Sequence, residues 1–218
     1  MMSYCFYLFL LRTILAGHCE DICHITLNVM ENTAVDKLQW DLFDLLSNRT
    51  STWEYLQFSL SSPSQYFEIV SPMLKYRPME FDREKICHKV PVSDECSLHL
   101  QIFTQTSFVV LFQLIILDEN DWKPFFQQTS LHLNIRENLP DDYRIQLPAA
   151  QDYDSSAYNI DRYEFLNNTR DERDIFRLEM SHDDLQLNLV GKLDCERKNH
   201  YDLFIVAIDK GGFTSNVL

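Results

Sequence analysis

The sequence predicts an all-β chain of two tandem Greek-key β-sandwiches, the second incomplete at its C-terminal end. Two patterns carry that prediction. Apolar and polar residues alternate in Ser97-Leu98-His99-Leu100-Gln101-Ile102, Ser130-Leu131-His132-Leu133-Asn134-Ile135 and Asp184-Leu185-Gln186-Leu187-Asn188-Leu189, the period-two signature of strands with one buried face. Many such segments at short spacing indicate two packed antiparallel sheets, with His99 and His132 turned to solvent. The chain also echoes itself. Ile25 to Asn32 (ITLNVMEN) reappears as Leu131 to Asn138 (LHLNIREN), and Asp82-Arg83-Glu84 as Asp194-Cys195-Glu196. An alternating segment follows each acidic triplet, Ser97 to Phe103 and Tyr201 to Ile208, so one sandwich is used twice. Helix is a minor component; residues 36–46 fit a short amphipathic helix or a strand followed by a turn.

Composition agrees with two domains of roughly 100 residues each. The 218 residues are 45% hydrophobic and 13% aromatic, enough apolar surface for packed cores. Trp40, Trp53 and Phe125 are read as core residues. Lys and Arg total 19 against 33 Asp and Glu, a net charge of -14, which repels phosphate backbones and excludes a general nucleic-acid binder. With 4 glycines and no phosphate-binding fingerprint, nucleotide chemistry is not indicated either.

Residues 1–17 read as a secretory signal peptide, with an apolar stretch from Tyr4 to Leu11 and small residues Ala16 and Gly17 at the cleavage point. The other long apolar run, Phe108 to Leu117, is broken by Gln113 and too short to cross a bilayer. Sequons at Asn48 and Asn167 suit an exported glycoprotein. Cys5 leaves with the signal. Cys87 and Cys96 flank a polar loop between strand-like segments and are the natural disulfide pair; Cys19, Cys23 and Cys195 are an odd remainder, with Cys19–Cys23 or a free or intermolecular thiol left open. Zinc has no second CxxC or HxxxH to complete four ligands.

Pro124 and an acidic turn interrupt the apolar pattern between Leu117 and Phe126, which divides the chain into repeat 1 (18–117), a linker (118–124) and repeat 2 (125–218). Two tandem sandwiches would gather the acids at that linker: Glu31, Asp82 and Glu84 from the first copy, Asp118, Asn120 and Asp121 from the linker, and Asp152, Asp154 and Asp209 from the second copy. Carboxylates at such density repel one another and require a counter-cation. Calcium suits an all-oxygen donor set with loose geometry, and roughly three ions would bring the cluster near neutrality. The lower-end set recurs in the second copy as Glu137, Asp194 and Glu196, whereas the first copy carries Trp40-Asp41-Leu42-Phe43-Asp44 and Thr104 where an upper-end set would lie.

With these motifs in order, the sequence resembles the first two extracellular repeats of the cadherin superfamily, and more narrowly a protocadherin. The matching elements are Glu31-Asn32 and Glu137-Asn138, Asp82-Arg83-Glu84, the Asp-x-Asn-Asp-x-x-Pro linker from Asp118 to Pro124, Asp152-x-Asp154 with Asn159, and Ala207-x-Asp209-x-Gly211. The resemblance implies calcium as cofactor, backbone carbonyl ligands from Glu119, Trp122 and Asn159, and a Cys87–Cys96 disulfide like that of protocadherin first repeats. Cys195 stands where Arg is usual, and Trp122 where Asn is commoner.

The resemblance further implies calcium-dependent adhesion at the extracellular face of the plasma membrane, through a C-terminal anchor that these residues do not include. Homophilic contact by antiparallel overlap of repeats is expected, without exchange of an N-terminal Trp. A receptor or spacer that binds another protein, using calcium only for rigidity, is the alternative. Calcium affinity is expected at roughly 10⁻⁴ to 10⁻³ M, typical of extracellular modules. An enzyme is disfavoured: a glycosidase needs two carboxyls in unlike environments within a cleft, and no nucleophile elbow or metalloprotease His pair occurs.

Overall fold

The computed structural model describes residues 22–47, 57–77, 80–87, 95–105, 108–140, 142–167, 170–181 and 184–218. The signal segment, Cys5, Cys19, Trp53 and the Asn48 sequon lie outside the described residues. The chain divides into two units, Met1–Glu119 and Asn120–Leu218.

The first unit is a sandwich of two sheets. One has strand order β1-β7-β6-β3, from β1 (Ile22–Met30), β7 (Val109–Leu117), β6 (Cys96–Thr104) and β3 (Phe58–Leu60); the other has order β2-β5-β4, from β2 (Gln39–Asp41), β5 (Met73–Tyr76) and β4 (Phe67–Val70). Alternation does the folding. Cys23, Ile25, Leu27 and Val29 of β1 and Val110, Phe112, Leu114 and Ile116 of β7 are the buried halves of their strands, which places them on one face. They meet Leu38, Phe67, Leu74 and Ile102 in a single core. Trp40 is half-buried and packs at 5.7 Å from Phe112 and 6.5 Å from Phe67.

Residues 36–46 combine both expectations, because β2 runs directly into α1 (Leu42–Leu46), capped by Asp41 accepting the Phe43 N–H at 2.8 Å. The sheets are not wholly antiparallel, in contrast to the expectation from alternation. β1 pairs parallel with β7, from Ile22 opposite Val109 to Met30 opposite Leu117. Alternation records which face is buried and carries no strand direction.

α2 (Arg83–Cys87) ends at a disulfide between Cys87 and Cys96, which ties it to the start of β6 with Cα atoms 5.8 Å apart. Cys23 is also disulfide-bonded.

In the second unit, β10 (Phe176–Ser181), β11 (Asp184–Leu189) and β8 (Tyr143–Leu147) form one sheet, while β12 (Ile205–Asp209) pairs with β9 (Ile160–Phe165). Their core is Phe126, Leu147, Phe176, Leu185, Leu187, Leu189, Ile205 and Ala207; Phe125 is half-buried. α3 (Arg170–Ile175) precedes β10.

Two expected strands are corrected here. Ser130 to Ile135 is not a strand, and Leu131 and Leu133 remain 40% and 41% exposed. Its counterpart β1 owes its ladder to β7, and among the described residues of the second unit no strand plays that part. Of Tyr201 to Ile208, only the portion from Ile205 onward is strand. His99 and His132 are exposed.

Candidate metal centre

The first unit assembles its acids around Glu31, the residue that follows β1. Glu31 is 2% exposed, and both its oxygens are engaged: Oε2 accepts the Arg83 N–H and Oε1 the Glu119 N–H, each at 2.8 Å. Oxygens of Glu31, Asp82 and Glu84 lie within 4.8 Å of one another. Burial raises the Glu31 pKa to about 8 against the lowering effect of those two N–H groups, and neighbouring Glu84 pushes the same way.

Positive charge near this set is limited. Arg83, itself buried, reaches Glu84 at 3.0 Å and Asp118 at 3.7 Å, and Lys85 reaches Asp82 at 2.9 Å. Asp82 Oδ1 also accepts the Lys85 backbone N–H at 2.8 Å, capping the start of α2. Glu84 Oε2 is buried with no hydrogen-bond partner among the described residues, a costly state for a carboxylate oxygen unless a cation is supplied.

The second unit has its own set. Asp154 is 4% exposed and Asp209 1%. Asn120 turns one end of its amide to Asp154 Oδ2 at 2.7 Å and Asp209 Oδ2 at 3.2 Å. With nitrogen at that end, both contacts are hydrogen bonds; with oxygen there, three acceptors converge and only a cation relieves them. Asp154 donates its N–H to Asp152 Oδ1 at 3.0 Å and accepts the Trp122 N–H at 3.4 Å. The Asn159 carbonyl accepts the Lys210 N–H at 3.2 Å and keeps a second lone pair. Asp121 stays exposed.

The Cadherin domain family matches residues 131–216. Human Protocadherin-17 is 27% identical over 168 residues, covering 75% of this chain and 14% of that protein. Human Protocadherin-7 is 36% identical over 118 residues, covering 50% and 11%, and Protein dachsous of Drosophila melanogaster is 38% identical over 102 residues, covering 44% and 3%. Among solved structures, Protocadherin Gamma B2 extracellular cadherin domains 1-5 superpose with a TM-score of 0.68 at 22% identity, covering 88% of this chain and 36% of that one. Protocadherin Gamma C5 EC1-3 gives 0.64 at 25%, covering 88% and 65%.

Residues 131–216 form a Cadherin domain, and the chain as a whole is protocadherin-like. It has the all-β cadherin fold and spans 14% or less of the three curated relatives named above. No helix among its described residues is long and apolar enough to cross a membrane.

In this protocadherin-like chain a third acidic group lies in the second unit, more open than the others. Glu137 Oε2 accepts the Cys195 N–H at 3.1 Å, repeating the Glu31–Arg83 contact, but Asp194 and Glu196 are exposed. Cys195 is a free, exposed cysteine whose thiol pKa is raised by its hydrogen bond to Glu137.

Oxygen is the donor throughout these sets, and a hard dication such as calcium would favour the ionised form of Glu31 that burial alone disfavours. Two residues that stand in the sequence motifs have roles that sequence reasoning missed. Arg83 is an internal counter-charge for Glu84 and Asp118, and Gly211 gives Asn120 its space, since a Cβ there would collide with the Asn120 side chain. The glycine's place beside Asp209 was the available signal for the second.

Proposed function

We propose that this chain is part of a calcium-rigidified extracellular adhesion protein that binds homophilically by antiparallel overlap of its repeats. Glu31, Asp82, Glu84 and Asp118, the carbonyls of Glu119, Trp122 and Asn159, and Asn120, Asp121, Asp152, Asp154 and Asp209 are the proposed ligands, with Glu137, Asp194 and Glu196 as a further lower-end set. The observation that carries the calcium reading is Glu31, a buried acid oriented by two backbone N–H groups, with oxygens of Asp82 and Glu84 within 4.8 Å and Glu84 Oε2 buried with no hydrogen-bond partner among the described residues. One residue, Glu119, separates Asp118 of the first set from Asn120 of the second in sequence, so ions bound at each set would hold the linker residues beside it in place. Asn167, exposed and at φ 57°, suits a glycan on an exported chain.

Calcium titration by calorimetry together with small-angle scattering tests the ion. Binding near millimolar calcium with a more extended profile than in chelator is expected, and identical profiles with no heat of binding contradict the reading. Cells displaying the full-length protein should aggregate with one another in calcium and disperse in chelator. Calcium binding without self-aggregation would instead assign a spacer or receptor for a different protein.

A further inference from the structure

We propose that Trp122 is a positioning residue for the cation ligands of the second unit, acting through Tyr153; this rests on the calcium reading. The Trp122 and Tyr153 rings meet edge-on at 5.0 Å and 89°, and Phe125 adds a second contact to Tyr153 at 5.6 Å. Tyr153 lies between Asp152 and Asp154, so a ring held in place fixes the turn carrying both carboxylates. The main chain supports the same alignment. Phe125 and Gln151 exchange backbone hydrogen bonds at 2.9 and 2.8 Å, and Trp122 donates its N–H to Asp154 Oδ1.

These rings are not ordinary core. Trp122 is 39% exposed and Tyr153 52%, so apolar burial is a weak reason for their arrangement, while edge-to-face packing is directional. The Tyr153 hydroxyl makes no hydrogen bond among the described residues, which leaves the ring as the working part. A preset turn lowers the ordering cost of ion binding, the general effect of preorganisation.

Calcium titration of the whole chain and its Trp122→Ala, Trp122→Phe, Tyr153→Ala and Tyr153→Phe variants tests this. The alanine variants should bind about three- to tenfold more weakly, the range expected from one edge-to-face pair, and the phenylalanine variants within about twofold of the parent on the same scale. In chelator, amide exchange at Asp154 should accelerate in the alanine variants and not in the phenylalanine ones. Unchanged affinity in the alanine variants, or equal loss in both kinds, overturns the proposal. If the parent chain binds no calcium, the calcium reading fails, and with it the ligand role assigned to this clamp. Exchange then still tests the mechanical half, and unchanged rates in Trp122→Ala overturn that as well.

Discussion

Glu31 accepts a 2.8 Å hydrogen bond from the backbone N–H of Arg83, 52 residues further along the chain. The contact pins the end of β1 to the first turn of α2 and holds a buried carboxylate beside Glu84. Two such N–H bonds favour the ionised form, and burial opposes them and wins, leaving the pKa at about 8 against an ordinary 4.5.

The sign of the pH effect follows. Below about pH 4.5 both the folded and unfolded chain hold this proton; between there and about pH 8 only the folded chain does, so ionisation favours unfolding. In chelator the first unit should therefore lose stability, on the order of a few kcal/mol, as pH rises through that window. Saturating calcium should flatten the slope, and Glu31→Gln should flatten it without calcium. Thermal melts from pH 5 to 8.5, with and without chelator, check this, and a slope that survives Glu31→Gln counts against it.

Gly211→Ala should weaken calcium binding at the second unit while leaving its sandwich folded. A Cβ at 211 would overlap the Asn120 side chain, which must then turn away from Asp154 and Asp209. Losing one contributed oxygen corresponds to an affinity drop of about tenfold, comparable to a charge-assisted contact. Calorimetry reads the drop, and an unchanged far-ultraviolet spectrum reads the retained fold.

The cores were more legible than the connections between strands. Alternation at Ser97 to Ile102 and Asp184 to Leu189 located β6 and β11 through Ile102 and through Leu185, Leu187 and Leu189, which enter the cores, although Asn188 on the other face of β11 is buried as well. The same alternation at Ser130 to Ile135 did not produce a strand, since a ladder needs a partner and periodicity cannot show whether one is there. The proximity of Glu31, Asp82 and Glu84 was readable because ITLNVMEN and Asp-Arg-Glu are echoed in the same order, 106 and 112 residues on, which tied them to a single repeat. Arg83's salt bridges and the space at Gly211 were not, because each depends on which side chains the fold brings beside them.

Removing the Cys87–Cys96 disulfide should lower the stability of the first unit by about 2 to 3 kcal/mol, the loop-closure entropy for so short a crosslink. The bond joins residues 9 apart in sequence. The paired Cys87→Ala and Cys96→Ala variant, compared with the parent by urea denaturation, measures it. Cys96 is 1% exposed, so the alanine there also forfeits some packing, and a loss below about 1 kcal/mol would be inconsistent with the crosslink constraining the unfolded chain.

Asp209 has two separable roles. Its Oδ1 accepts the Phe213 N–H at 2.8 Å, and its own N–H donates to the Phe213 carbonyl at 3.1 Å, closing the turn after β12. Its Oδ2 faces Asn120 in the candidate site. Asp209→Asn keeps an oxygen for the turn and removes the charge, so in chelator it should be at least as stable as the parent, relieved of repulsion from Asp154. With calcium the order should reverse, because the ion loses a charged ligand. Asp209→Ala loses the turn bond too and should cost about 1 kcal/mol under both conditions. Melting temperatures of the three chains in chelator and in millimolar calcium decide the matter: an asparagine variant that is less stable than the parent in chelator shows that the charge serves the fold rather than an ion.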